Sequence, residues 1–201
     1  MRVLFAHGFE GGPSGSKPTY MRDVLGWEVT APVMSELGWD IEKQTEVLLR
    51  MIDAAEYDLI VGSSMGGLAA ANASSMRSES DFRLLLIAPA FGLYESWEGL
   101  TEQELSEWKV SGTREYRGFE LDIDLEWGFM EAAEVMSWPE PRHMTTIIHG
   151  KLDDVVSIDV SRRVAGGSGL VELVEIDDGH RMKGCLPLLA DLASELMSRG
   201  S

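Results

Sequence analysis

Six short apolar runs recur along the chain, at residues 2–8, 27–32, 58–63, 83–90, 145–150 and 170–176, and most lack polar alternation. A strand that is apolar at successive positions has to be covered on both faces. Helical patterns fill the gaps between the runs. Residues 35–56 place Ile41, Val47, Leu48, Met51 and Ile52 near one face, with Ser35 as N-cap. Residues 65–76 form a small-residue helix suited to close packing on a sheet, and 185–198 a closing helix with Pro187 near its start. Strands alternating with helices specify an α/β architecture: a mostly parallel sheet of about six strands, flanked by helices and joined by right-handed crossovers. Sites in such sheets lie at the carboxyl ends of the strands. Three glycine-containing turns fall there: His7-Gly8, Gly62 to Gly67, and His149-Gly150.

Residues 92–140 interrupt this rhythm. The segment holds 13 acidic residues against 3 basic ones, and four of the six tryptophans. Within it, Phe119, Leu121, Ile123, Leu125 and Trp127 alternate with Glu120, Asp122, Asp124 and Glu126, the pattern of a half-buried strand, and the helical stretch "TEQELSEW" precedes them. We read 92–140 as a lid inserted into a single domain spanning 1–201, with its apolar face over the top of the sheet. Trp97, Trp108 and Trp127 are its candidate substrate-binding residues.

The formal charge of -17 argues against nucleic acid as a partner, since phosphate backbones would be repelled. No apolar run reaches membrane-spanning length, and the first strand does not read as a signal peptide, so a cytoplasmic location is expected. Cys185 is the single cysteine and reads as a small buried residue. "GGPSGSK" resembles a phosphate loop only superficially: Gly is missing before Lys17, and Pro18 stands where a magnesium-binding hydroxyl belongs. No metal-ligand spacing is present, and neither metal nor cofactor is expected.

Gly62-x-Ser64-x-Gly66 follows an apolar strand and opens a small-residue helix. A nucleophile on such a turn is projected above the sheet, while side chains at the flanking positions would collide with neighbours. Ser64 is therefore the candidate nucleophile, and Ser63 is structural. A serine needs a base. His180, in the polar loop "EIDDGHRM" after the last strand, suits that role; His7 and His149 read as backbone-binding residues, and His143 as the entry to a strand. The base needs a carboxylate to fix its tautomer. Asp153 is preferred, as the first acid after the fifth core strand. Asp154 is the alternative, with a local backbone bond or helix cap as its plainer role. Asp177 and Asp178 are expected to shape the His180 loop. The backbone N–H groups of Met65 and Phe9 are the expected oxyanion donors.

"LFAHGFEGGPSGSK", "VGSSMGG", "HGKLDDVV" and "DDGH", in that order, make the chain similar to the α/β-hydrolases, and more narrowly to small single-domain bacterial serine esterases. The resemblance covers nearly the whole chain. It implies a reduced sheet, a Ser64–Asp153–His180 triad, two amide donors and an acyl-serine intermediate. The expected reaction is hydrolysis of small to medium acyl or aryl esters, the partner being a small-molecule ester. The same machinery could open a thioester, lactone, amide or carbon–carbon bond, and the fold can also serve as a non-enzymatic binding module.

Overall fold

The computed structural model describes residues 1–119 and 121–199. Glu120, assigned above to the wet face of the alternating strand, lies outside the described residues. β1 (Arg2–Ala6), β2 (Glu28–Thr30), β3 (Leu59–Ser63), β4 (Arg83–Ile87), β7 (Thr145–Gly150) and β8 (Val171–Ile176) form one sheet in the order β2-β1-β3-β4-β7-β8, with parallel pairing throughout. Successive residues of one strand feed two cores. Leu4, Ile60, Leu84, Leu86 and Ile147 join Leu48 of α2 (Ile41–Ala54) and Leu68 of α3 (Met65–Met76). Val3, Phe5, Val61, Leu85 and Ile148 join Met21 of α1 (Ser16–Asp23) and Leu192 and Leu196 of α8 (Leu189–Ser198) on the other face. This two-sided burial is the physical reason for the continuous apolar runs.

The chain leaves β1 in one direction for β2 and then crosses back to β3, so its winding reverses between β1 and β3 while the strands stay parallel. Crevices form at such a point. Gly8 and Phe9 follow β1 there, and Ser64 follows β3.

Several elements depart from expectation. α2 starts at Ile41 rather than near 35. Asp40 caps it by accepting from the Lys43 amide at 2.8 Å, and Gly38 turns the chain just before at φ +147°. Both Ser35 and Asp40 are capping types, and the turn at Gly38 decides between them. The closing helix opens as a 3-10 stretch, Lys183–Leu188, containing Pro187, which has no N–H to donate. α1 and α7 (Ile158–Gly167) are helices that the apolar pattern had not announced.

Between β4 and β7 run α4 (Leu93–Ser96), α5 (Glu102–Ser111), β5 (Thr113–Arg117), β6 (Asp122–Glu126) and α6 (Gly128–Met136). α5 starts on a capping box: Thr101 Oγ1 accepts from the Glu104 amide at 3.3 Å, and Glu104 Oε2 accepts from the Thr101 amide at 2.8 Å. The alternating strand is β6, shorter than 119–127 and paired antiparallel with β5. Phe119 sits in the turn between them, largely exposed, and does not continue the apolar face. Among the described residues no helix is long and apolar enough to cross a membrane.

Two buried histidines are wired as neutral rings. His7 donates from Nδ1 to the Gly8 carbonyl at 2.8 Å, and its Nε2 accepts from the Met34 amide at 3.1 Å. His143 stacks on Phe82 and donates from Nε2 to the Ser80 carbonyl at 2.8 Å. Its Nδ1 lies 2.7 Å from Ser74 Oγ, which accepts from the Arg142 amide and so has its own proton free for the ring. Burial lowers the pKa of both. A folded pKa below the unfolded value means a full contribution above about pH 6.5, where both states are neutral. As the pH falls below that, the unfolded chain takes up protons that the folded chain refuses, and stability declines. Urea unfolding should give a lower midpoint at about pH 5.5 than at about pH 7.5, before carboxylates titrate. His143→Gln should be less stable at the higher pH and show a weaker pH dependence.

Candidate active site

Ser64 holds φ 54° and ψ -121°, a conformation costing roughly 1–3 kcal/mol for a non-glycine residue. Four backbone bonds hold it there. Its N–H donates to the Ile87 carbonyl at 2.9 Å, and its carbonyl accepts from Gly67 at 2.9 Å, Leu68 at 3.1 Å and Ala90 at 3.0 Å. The turn is also sterically closed. A Cβ on Gly66 would lie 2.3 Å from the Ala6 oxygen and 2.5 Å from the His7 oxygen. One on Gly62 would lie 2.5 Å from the Gly66 oxygen. Ser63 ends β3 and is buried.

His180 Nε2 lies 3.0 Å from Ser64 Oγ, and its Nδ1 lies 2.8 Å from Asp153 Oδ2. Three loops, following β3, β7 and β8, thus bring the three side chains into one hydrogen-bonded line. The Asp153 side chain is fully buried. Burial works against its charge, but hydrogen bonds from His149, His180 and the Val156 amide outweigh that cost and hold the carboxyl well below the usual range. Oδ1 accepts from the amides of Val155 at 3.0 Å and Val156 at 2.8 Å. The local backbone role foreseen for Asp154 therefore falls to Asp153 itself, while Asp154 is exposed at the cleft rim.

His149 does more than bind backbone. Its Nε2 donates to the Val156 carbonyl at 3.0 Å and to Asp153 Oδ2 at 3.1 Å, and its Nδ1 meets Ser161 Oγ at 2.7 Å. One carboxylate oxygen thus serves two imidazoles. Asp178 shapes the His180 loop, accepting from the amides of Gly179 at 2.8 Å and Gly184 at 2.7 Å, and Asp177 pairs with Lys151 at 2.7 Å.

The amides of Phe9 and Met65 donate to no acceptor among the described residues. Gly8 presses against Ser64: a Cβ there would stand 3.1 Å from Ser64 Cβ. The Phe9 ring meets Trp39, Trp97, Tyr116 and Phe129 with centroids 5.1–5.8 Å apart, all near edge-on. Such pairs contribute beyond their buried area.

A cleft of about 1360 Å³ opens over Ser64 and His180. Trp97, Leu93 and Tyr116 of the insertion line it. Trp108 and Trp127 do not. Trp108 is 2% exposed, donates its indole N–H to the Leu125 carbonyl at 3.0 Å and packs edge-on against Trp127. Trp108 is buried in the core and Trp127 is half-buried against it, away from the cleft. Tyr116 lines the cleft unforeseen, and so do Lys17, Arg181 and Lys183. Lys17 belongs to the motif set aside as a false phosphate loop, and Arg181 directly follows the candidate base. The Cys185 thiol is buried and its pKa is pushed up to about 11, as a packing residue's would be.

The family model of an uncharacterised protein family, UPF0227, matches residues 2–194. Comparison with curated proteins finds no match. Solved structures share the fold. Mouse α/β hydrolase domain-containing protein 10 superposes with a TM-score of 0.82 at 22% identity, over 100% of this chain and 90% of that one. Est1E from Butyrivibrio proteoclasticus, whose structure is also known with bound ferulic acid, gives 0.75 at 18%, over 98% and 86%. The Paleococcus ferrophilus monoacylglycerol lipase gives 0.72 at 15%, over 98% and 94%. The sheet and its helices are those of an α/β-hydrolase.

The closure at the turn is testable by folding alone. Gly66→Ala should lose at least about 3 kcal/mol, the upper end for an overpacked core, because backbone oxygens cannot yield as side chains do. Gly12→Ala, whose added methyl meets nothing within 4 Å, should leave the urea midpoint nearly unchanged.

Proposed function

The chain belongs to the UPF0227 family and carries the α/β-hydrolase fold, and from that premise we propose that it is a serine hydrolase cleaving carboxylic esters. The observation that carries this reading is the line from Ser64 Oγ through His180 to Asp153, at 3.0 and 2.8 Å, starting from a serine held in a strained conformation. Ser64 Oγ attacks the acyl carbon while His180 Nε2 takes its proton. Asp153, kept ionised by its donors, fixes the ring tautomer and favours the imidazolium. The Phe9 and Met65 amides receive the oxyanion, aided by the positive end of α3. His180 then returns the proton to the departing alcohol, and water repeats the sequence on the acyl-serine.

The segment 92–140 is read as a lid within one domain, with Trp97, Leu93 and Tyr116 as the acyl-facing wall. That wall suits small to medium acyl or aryl groups. The ferulic acid held by Est1E is an aryl acid of the kind such a wall accommodates.

A fluorophosphonate probe should label Ser64, located by mass spectrometry, and label no other serine. Hydrolysis of p-nitrophenyl esters should fall about a millionfold in Ser64→Ala and about ten-thousandfold in Asp153→Asn, which keeps the shape but favours the wrong tautomer. Equal slow turnover by wild type and Ser64→Ala would reject the reading.

A further inference from the structure

The cleft carries cations that the acyl-transfer steps do not use. The chain has 34 acidic residues and 17 basic ones, and most basic side chains are held by carboxylates, as in Lys43–Asp40, Arg77–Asp53, Lys151–Asp177 and Arg162–Glu175. Lys17, Arg181 and Lys183 are different. Among the described residues no carboxylate lies within 4.0 Å of their charged nitrogens, although acids outnumber bases twofold, and all three line the catalytic cleft.

Lys17 is placed against its own stability. It lies in the first turn of α1, where the helix dipole disfavours a cation, and that turn holds no acidic residue and no side-chain cap. Burial lowers its pKa. Its ammonium donates to the Arg181 carbonyl at 3.1 Å. Asp178 is near enough to favour the charge, but both its oxygens already accept from the Gly179 and Gly184 amides. A half-buried ammonium facing a cleft, with no carboxylate within ion-pair distance, is arranged to meet an anion that arrives.

We propose that Lys17 in the first turn of α1, with Arg181 and Lys183 from the segment after β8, forms an anion subsite in the cleft, so that the substrates are esters with an apolar acyl group and a negatively charged alcohol portion. The proposal rests on the reading of Ser64 as nucleophile. The subsite falls on the alcohol side because His180 delivers its proton to the departing oxygen, Arg181 follows His180 in the chain, and the Lys17 ammonium rests on the Arg181 carbonyl. The acyl group is left to the aromatic wall. The net charge of -17 repels anions at long range, and Glu10, Asp154 and Asp178 share the cleft lining, so the cations also select: an anionic ester gains only where they, and not the carboxylates, meet its charge.

Two chromogenic butyrates test this: p-nitrophenyl butyrate, and its analogue with a carboxylate on the ring beside the nitro group. The measured quantity is the ratio of their kcat/KM values, corrected for their hydroxide-catalysed rates. Wild type should favour the anionic ester at least about tenfold, the scale of a good charged contact, through KM and less so at high salt. In Lys17→Met, and in Arg181→Gln/Lys183→Gln at two exposed positions, the ratio should fall about tenfold. An unchanged ratio, or an equal loss on both esters, overturns the subsite and leaves the serine reading standing. A second arm titrates both intact esters into Ser64→Ala by calorimetry. Tighter binding of the anionic ester, lost on adding Lys17→Met, supports the subsite even if wild type cleaves neither ester, an outcome that would reject the serine reading instead. Equal binding of the two esters overturns it.

Discussion

The carbonyl oxygens of Ala6 and His7 lie where the side chain of residue 66 would be, and the site depends on that contact. It brings the start of α3 against the end of β1 at a distance only glycine permits. The Ser64 turn and the loop bearing Phe9 are thereby fixed to each other through backbone, the least adaptable material in the molecule. The strain at Ser64 persists because Ile87, Gly67, Leu68 and Ala90 all bond its peptide groups. No single one of those bonds could be traded for a relaxed conformation without loosening the sheet's central strands.

Polar groups in this interior are committed in a way that fixes their protonation. His7 and His143 each face one donor and one acceptor, which suits a neutral ring and no other state. Asp153 stands at the opposite extreme. It gathers two imidazole donors and two amides on a carboxylate withdrawn from water, and so stays charged where a lone buried acid would not. Both arrangements follow from the rule that a buried polar group must be matched; one leaves neutral rings and the other an ionised carboxylate.

How much was readable from sequence follows from how local each constraint is. The turn at Ser64 is legible because its glycines answer clashes within a few residues and one neighbouring strand. The parallel sheet is legible because two-sided burial leaves continuous apolar runs. The tryptophans were harder. Alternation along β6 marks an apolar face, but which rings turn toward the cleft depends on β5, a partner with little apolar signal of its own. Lys17 was unreadable for another reason. A lysine is unremarkable in a string, and its cost appears only when the helix end, the burial and the missing carboxylate coincide. Ser35 and Asp40 are equivalent as letters, and Gly38 chose between them.

Phe9 joins two duties that proteins often separate. Its peptide nitrogen donates to no acceptor among the described residues, while its ring is gripped by Trp39, Trp97, Tyr116 and Phe129. Glu10 tightens the same coupling, accepting from the Tyr116 hydroxyl at 3.0 Å and the Phe119 amide at 2.9 Å. Trimming those rings would therefore also loosen the backbone that carries the Phe9 amide. On the proposed ester chemistry, selectivity and turnover share one hinge, so descendants of this chain cannot readily drift in taste while keeping their pace.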